Sequence, residues 1–348
     1  MAYPLPQTES DWTEPGAFEV SPGVFRIPLP LPHDSLRAVN VYAIVDGDGV
    51  VMIDAGWALE QSKDQLIRGL DVLGFTLAHI SRFLVTHAHR DHYTQAVAIR
   101  RVFNTPITLG AGERPTLERL APHRHGEPSA LLDLLRACGA WELAERLAAE
   151  PRAPEPTDTL WELPDVWLES RTTIPLTTRT LEAIPTPGHT RGHVVFLDRG
   201  SGVLFSGDHV LPRITPSIGL EAEPGANPLG NYLNSLQLLL ALPDVPILPA
   251  HGPIGMSSHA RTQALLEHHR VRLDQTRSAV VAGADTAFLV ASKLGWTRRQ
   301  REYADLDLFN QMLAILETHA HLEELAERHQ LHRVRDGGPL RYSVLPAA

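Results

Sequence analysis

A chain of 348 residues with 43% hydrophobic content exceeds one ordinary domain and has the apolar material for a large buried core. Its formal charge of −10 excludes a general attraction to nucleic-acid phosphates, leaving only a local basic patch for such binding. The single cysteine, Cys138, excludes an internal disulfide, and no apolar run approaches the ~20 residues of a membrane helix. The first ten residues lack the basic and apolar regions of a secretory signal, so a soluble, cytoplasmic protein is expected.

The first third alternates strands and helices. Strands are expected at 24–29 and 39–45, and Asp46-Gly47-Asp48-Gly49 turns the chain into a third at 50–54. Leu66, Leu70 and Leu73 recur at helical spacing before Gly74, giving a helix over 60–73. The apolar run 83–85, a helix over 92–102 and a strand at 106–109 follow. Residues 111–165 break the pattern, with a helical segment around 129–149 and a proline-rich piece to Pro164. They read as an insertion that packs over a site and shapes a substrate pocket. Strands resume at 181–184, 193–197 and 203–205, and a helix at 229–241 precedes a strand at 245–248. Beyond about 260 the chain reads as four helices, at 259–281, 286–294, 305–317 and 319–329, and a hairpin at 332–344.

The most informative stretch is Thr86-His87-Ala88-His89-Arg90-Asp91-His92, three imidazoles and a carboxylate directly after an apolar run. Imidazole nitrogens and carboxylate oxygens are the usual protein ligands of zinc and related divalent ions. Alternate side chains of an extended backbone share a face, so His87 and His89 can reach one ion. If the chain then turns into a helix, Asp91 and His92 lie nearby and can serve a second ion. The alternative is a solvated turn in which Asp91 caps that helix. Four further positions carry a possible ligand at a strand end or turn: Asp54, His189, Asp208 and His251. Singly, each reads as a polar residue in a Gly-containing turn.

In this order, with these flanks, the five motifs resemble the metallo-β-lactamase superfamily, over roughly residues 20–260. The resemblance implies an αββα sandwich, two sheets face to face with helices outside, in an α/β (α+β) chain. It implies one ion held by His87, His89 and His189, and a second held by Asp91, His92 and His251. Asp208 would bridge the two, and Asp54 would fix a ligand imidazole through a hydrogen bond. The implied cofactors are two divalent ions, zinc first, with iron or manganese as alternatives. The implied reaction is hydrolysis by a metal-bridging hydroxide, with Asp91 and Asp208 as the catalytic carboxylates that orient it and relay its proton. Asp208 and the missing signal peptide argue against a true β-lactamase. Leu211 stands where many lactonases of this fold carry Tyr. The full set Asp91, His92 and His251 argues against a mononuclear iron sulfur dioxygenase.

Residues 261–348 look like the winged-helix-like domain of one subgroup, which holds both thioesterases and an endoribonuclease, lactamase-β-like protein 2. With 12 Lys+Arg against 11 Asp+Glu that segment is near neutral, and Glu323, Glu324 and Glu327 on its last helix would repel a DNA groove. The segment therefore reads as a packing and dimerisation element, in a homodimer, rather than a nucleic-acid reader. Hydrolysis of an ester or thioester, on a small molecule or an acyl carrier, is the leading expectation, and RNA phosphodiester cleavage the alternative. Arg213 is a candidate partner for a substrate carboxylate or phosphate and equally a surface cation, and Tyr232 is a candidate proton donor to the leaving group, although packing of the Leu233, Leu236 and Leu240 helix is the leading use of that segment. His193 and His209 flank ligands and read as residues that support those ligands or the structure rather than as catalytic, Arg298, Arg299 and Arg301 as a solvated face, and His123, His125, His319 and His321 carry no assigned role.

Overall fold

The computed structural model describes residues 12–32, 36–121, 129–150, 156–223 and 225–345. Among these, one sheet runs in chain order: β1 (Phe18–Ser21), β2 (Val24–Pro30), β3 (Ala38–Asp46), β4 (Gly49–Ile53), β5 (Ile80–Leu84), β6 (Ile107–Gly110) and β7 (Val166–Leu168). Pairing is antiparallel through β4 and parallel from β4 to β7. The parallel part needs crossovers, supplied by α1 (Glu60–Val72) and α2 (Arg90–Phe103). The second sheet contains β8 (Thr172–Pro175), β9 (Thr180–Pro185), β10 (Val194–Asp198), β11 (Val203–Gly207) and β12 (Ile247–Pro249), paired in the order β12-β11-β10-β9-β8.

Period-two alternation explains the layers. On β4, Val50 and Met52 face α1 and α2, while Val51 and Ile53 face the second sheet. On β10, Val194 and Phe196 meet the first sheet, and Val195 and Leu197 face outward onto helices. Strands buried on both faces read as continuous apolar runs, which is why these were conspicuous in the sequence. Phe196 and Phe205 are fully buried between the sheets, where truncation of either to Ala would cost about 3–5 kcal/mol. The result is the expected αββα sandwich.

The outer helical layer over the second sheet is larger than the sequence suggested. It combines α4 (Ala130–Ala137), α5 (Trp141–Ala149), α6 (Pro228–Leu240), α7 (Ser258–Val281), α8 (Ala287–Ala291) and α9 (Leu308–Glu327) around one core that includes Leu236, Leu265 and Ile315. The hairpin β13 (Leu331–Val334) and β14 (Arg341–Val344) follows. Among the described residues no helix is long and apolar enough to cross a membrane.

Several expectations need correction. The segment 129–149 is two helices, broken at Gly139, whose φ of 84° suits glycine. A helix the sequence did not suggest, α3 (Arg114–Leu120), lies before it. The two helices expected at 305–317 and 319–329 are one continuous α9. Two of the three glutamates read as an acidic repelling face are buried instead. Glu323 binds Arg333 and the Tyr342 hydroxyl, and Glu324 binds Arg328 and Asn227. Their charge serves packing, so it carries no argument about DNA. His123 and His125 lie outside the described residues.

Candidate metal centre

The segments that follow β4, β5, β9, β11 and β12 meet at one edge of the sandwich and carry Asp54, the histidine run, His189, Asp208 and His251. The sheets are tied there by Val194 N–H donating to Thr86 O at 2.8 Å, and by Tyr42 Oη and Asn40 Nδ2 donating to Pro249 O at 2.8 and 3.0 Å. At Asp54 the backbone takes φ 59°, a left-handed conformation that Asp tolerates better than most side chains. Close approach also dictates glycine at 207, where a Cβ would lie 2.7 Å from His193 Nε2 and 2.8 Å from Thr86 Cβ.

All seven expected ligands converge, in two groups. His87, His89, His189 and Asp208 form one, and Asp91, His92 and His251 the other. In the first, His87 Nε2 and His189 Nε2 lie 2.9 and 3.1 Å from His89 Nδ1. In the second, Asp91 Oδ2 lies 3.4 Å from His251 Nε2 and 3.6 Å from His92 Nε2. Asp208 spans them. Its Oδ2 is 3.6 Å from His189 Nε2, and its Oδ1 is 3.4 Å from His251 Nε2 and 3.6 Å from His92 Nε2.

The surrounding hydrogen bonds fix which ring nitrogens point inward. His92 Nδ1 donates to Asp54 Oδ2 at 2.8 Å, His251 Nδ1 to Ala38 O at 2.8 Å and His189 Nδ1 to Ser217 O at 2.8 Å. The Thr86 hydroxyl donates to Asp54 and so accepts from His87 Nδ1 at 3.0 Å. His89 is reversed: its Nε2 faces Leu220 O at 3.4 Å, leaving Nδ1 for the centre. Each imidazole therefore turns its remaining ring nitrogen toward its neighbours, and in the first group, where burial keeps the imidazoles neutral, that nitrogen carries a bare lone pair. Lone pairs at such range repel unless a cation sits among them, and tetrahedral zinc sets its nitrogen ligands about 3.3 Å apart. His92 Nε2, His251 Nε2 and Asp208 Oδ1 are buried without any hydrogen-bond partner, a cost that a cation removes. The donor set thus fits divalent ions.

Electrostatics divide the two groups. Burial and neighbouring imidazoles push His87 well below the ordinary histidine range, and burial with His189 brings His89 down to about 3. Burial also opposes protonation of His92, but Asp91, Asp54 and Asp208 prevail and raise it to about 9. His251 is raised for the same reason, by Asp208 and Asp91 against burial. Asp91 and Asp208 are held below the usual carboxylate range, the imidazoles overcoming the burial that would raise them.

Other residues brace the centre, and among them Glu113 and Glu221 are not evident from the sequence. His193 accepts the Asp208 N–H at Nε2, 3.2 Å away, and donates from Nδ1 to Thr186 Oγ1 at 3.0 Å, so it orients the bridging residue's backbone. Glu113 takes the Thr190 hydroxyl and the backbone N–H groups of Ala88 and Gly192, joining the loops on either side of His87, His89 and His189. Burial raises Glu113 to about 7, and raises Glu221, which accepts Arg191 N–H at 2.9 Å, to about 8. Tyr232, a candidate for the leaving group, is 0% exposed and donates to His209 O at 2.8 Å. It packs the core of α6 and does not reach the centre's opening.

That opening is a cavity of about 1830 Å³, lined by His89, Asp91, His189, Asp208 and His251 at its base. The insertion contributes Thr116, Leu120, Leu131 and Trp161, and α7, the 295–300 loop and α9 build much of the remaining wall.

The sequence model of the Metallo-beta-lactamase superfamily matches residues 34–251. The probable metallo-hydrolase YqjP of Bacillus subtilis (strain 168) is 24% identical over 341 residues, covering 92% of this chain and 98% of its own. A metallo-beta-lactamase family protein from Thermus thermophilus superposes with a TM-score of 0.77 at 24% identity, over 94% of this chain and 100% of that one. A beta-lactamase domain protein from Burkholderia ambifaria gives 0.76 at 26% identity, over 99% of each. The family match over most of the fold and the motif residues gathered at one edge lead to one assignment: the chain belongs to the metallo-beta-lactamase superfamily.

Proposed function

We propose that this chain is a binuclear metal-dependent hydrolase of esters or thioesters. The observation that carries the reading is Asp208, whose two oxygens face two separate ligand groups. His87, His89 and His189 would hold one ion, Asp91, His92 and His251 the other, and Asp208 both. Two divalent ions held there, zinc first among them, would supply a water acidified toward neutrality and Lewis acidity at the attacked carbonyl. Asp91 is anionic and lines the cavity, so it accepts a hydrogen bond from the attacking water and orients it. A C–O bond forms at the carbonyl, the C–S or C–O bond to the leaving group breaks, and the water's proton ends on the departing thiolate or alkoxide. Leu31, Leu120, Leu131, Leu211 and Leu220 line the cavity and suit an apolar acyl chain.

We place the ion ligands in residues 20–260 and read 261–348 as a winged-helix-like C-terminal domain whose helices α7 and α9 also wall the cavity. The test is metal analysis of the purified protein together with a panel of aryl esters, acyl thioesters, lactones and RNA. The expected result is about two zinc-like ions per chain and thioester or ester cleavage that a chelator abolishes and zinc restores. Protein that binds no ion, or cleaves only RNA, would overturn it.

A further inference from the structure

A buried carboxyl outside both ligand groups bears on the first of them. Glu113 lies between β6 and α3, and its side chain is 0% exposed. Thr116 and Leu120 of α3 line the cavity, whereas Glu113 sits behind that wall. Its Oε1 accepts the Thr190 hydroxyl, and the N–H groups of Ala88 and Gly192 point at the same carboxyl. Ala88 separates His87 from His89, and Thr190 follows His189. One side chain therefore holds the backbone beside all three histidines of the first group.

Those histidines come from different sheets. His87 and His89 follow β5 of the first sheet, and His189 follows β9 of the second. The 3.1 Å between His89 Nδ1 and His189 Nε2 thus depends on how the two segments are held together. The backbone around Glu113 leaves it little room to withdraw. A Cβ at Gly110 would lie 1.9 Å from Gly192 O, one at Gly112 2.3 Å from Arg191 O, and one at Gly192 2.3 Å from Glu113 N. The end of β6 and the turn after His189 are in direct main-chain contact, an approach that glycine permits. Glu221 grips the same turn, accepting Arg191 N–H at 2.9 Å.

Packing alone does not call for a carboxyl here. Burying one costs more than burying an apolar side chain of similar size, and some proteins keep such groups because they fix an arrangement. What this one fixes is the spacing of ligands drawn from two sheets. Both the acid and the carboxylate offer Oε1 to the Thr190 hydroxyl, so the role does not depend on ionisation.

We propose that Glu113 is a positioning residue that sets the spacing of His87, His89 and His189, and through it the affinity of the ion they would hold. This rests on the metal-centre reading. Glu113 acts through ligand geometry, so its loss weakens that ion and lowers kcat. A residue that only shaped the α3 wall would change KM and leave the ion in place.

Stepwise cobalt titration of the metal-free protein tests this, with visible absorption reporting the coordination at each site and a competing chelator its affinity. Zinc-loaded protein then gives kcat and KM on an aryl ester, and the affinity readout stands whichever bond is cut. Wild type should bind about two ions. Glu113→Ala should weaken the ion of the three-histidine site about 10–100-fold, alter its absorption and lower kcat, with the second ion and KM changed far less. Glu113→Gln, which keeps an acceptor oxygen for Thr190, should restore most of the affinity. Circular dichroism checks that the variants fold. If Glu113→Ala does not, Thr190→Val carries the test, because it removes the other end of the hydrogen bond at nearly constant shape, and the same selective loss is expected. Wild-type affinity and absorption in the folded variant would overturn the inference and leave the metal centre standing. So would a raised KM with both ions bound normally, or equal weakening of both ions. Wild-type protein that binds no ion would remove the metal centre and the inference together.

Discussion

The two halves of the candidate metal centre are built from similar residues and differ in their electrostatics. His87, His89 and His189 are three imidazoles at hydrogen-bonding distance, kept neutral by burial and by one another. His92 and His251 sit against Asp91 and Asp208, and the carboxylates hold protons on them. One half is already in its ligating form, whereas the other must give up protons to bind. The lesson is that Asp91, by adding charge, makes the second group both a stronger cation site and a proton-gated one. Asp208 belongs to both halves and ties their fates.

Removing that tie should have the largest effect. In Asp208→Ala, turnover should fall by about 10³-fold or more and bound metal should drop below two ions per chain together. Wild-type turnover would break the bridging role. Next comes loading. Between pH 6 and 9 the first ion's affinity should be nearly flat, because His89 titrates near 3. The second ion's affinity should rise with pH up to about 9, because below that value it competes with the proton on His92. Calorimetry in buffers of different ionisation enthalpy should then show ~1 or more protons released by the second ion and almost none by the first. Equal release by both would erase the difference between the halves.

A smaller effect is expected at Asp54, which orients His92 directly and His87 through Thr86. Asp54→Ala should weaken metal binding about 10–100-fold without removing a ligand. Unchanged affinity in equilibrium dialysis would show that the imidazoles need no such anchor. The smallest effect concerns stability. Glu221 has a folded pKa of about 8, above its ordinary 4.5. A carboxyl raised by folding contributes stability that is complete below pH 4.5 and lost as pH climbs through 8. Glu221→Gln should therefore raise the melting temperature by roughly 2 °C or more at pH 8.5 and by less at pH 6. An identical shift at both pH values would contradict the buried, neutral carboxyl.

The edge that carries the candidate ligands was legible because they follow apolar runs buried on both faces. His87, His89, Asp91, His92, His189, Asp208 and His251 each sit just past such a run or in a Gly-containing turn. Edge strands β1, β7 and β8 escaped, being three or four residues long with exposed positions that leave no clear period. The break at Gly139 was hidden by helix-forming flanks, and α9 was split on paper because Thr318 and His319 interrupt its apolar stripe. Glu113 reads as one more acid in an insertion, and only the fold brings it to Ala88 and Thr190. Arg213 is legible as a candidate partner for an anion, but its contact with Arg298, 85 positions away, arises only through tertiary packing.

The central claim is that Asp208 is shared by two ions, and anomalous X-ray diffraction from zinc-loaded crystals at the zinc edge tests it most directly. Two peaks about 3.5–4 Å apart are predicted, one among His87, His89 and His189, the other among Asp91, His92 and His251, with one Asp208 oxygen on each. A single peak, or two peaks with Asp208 ligating only one, would contradict it.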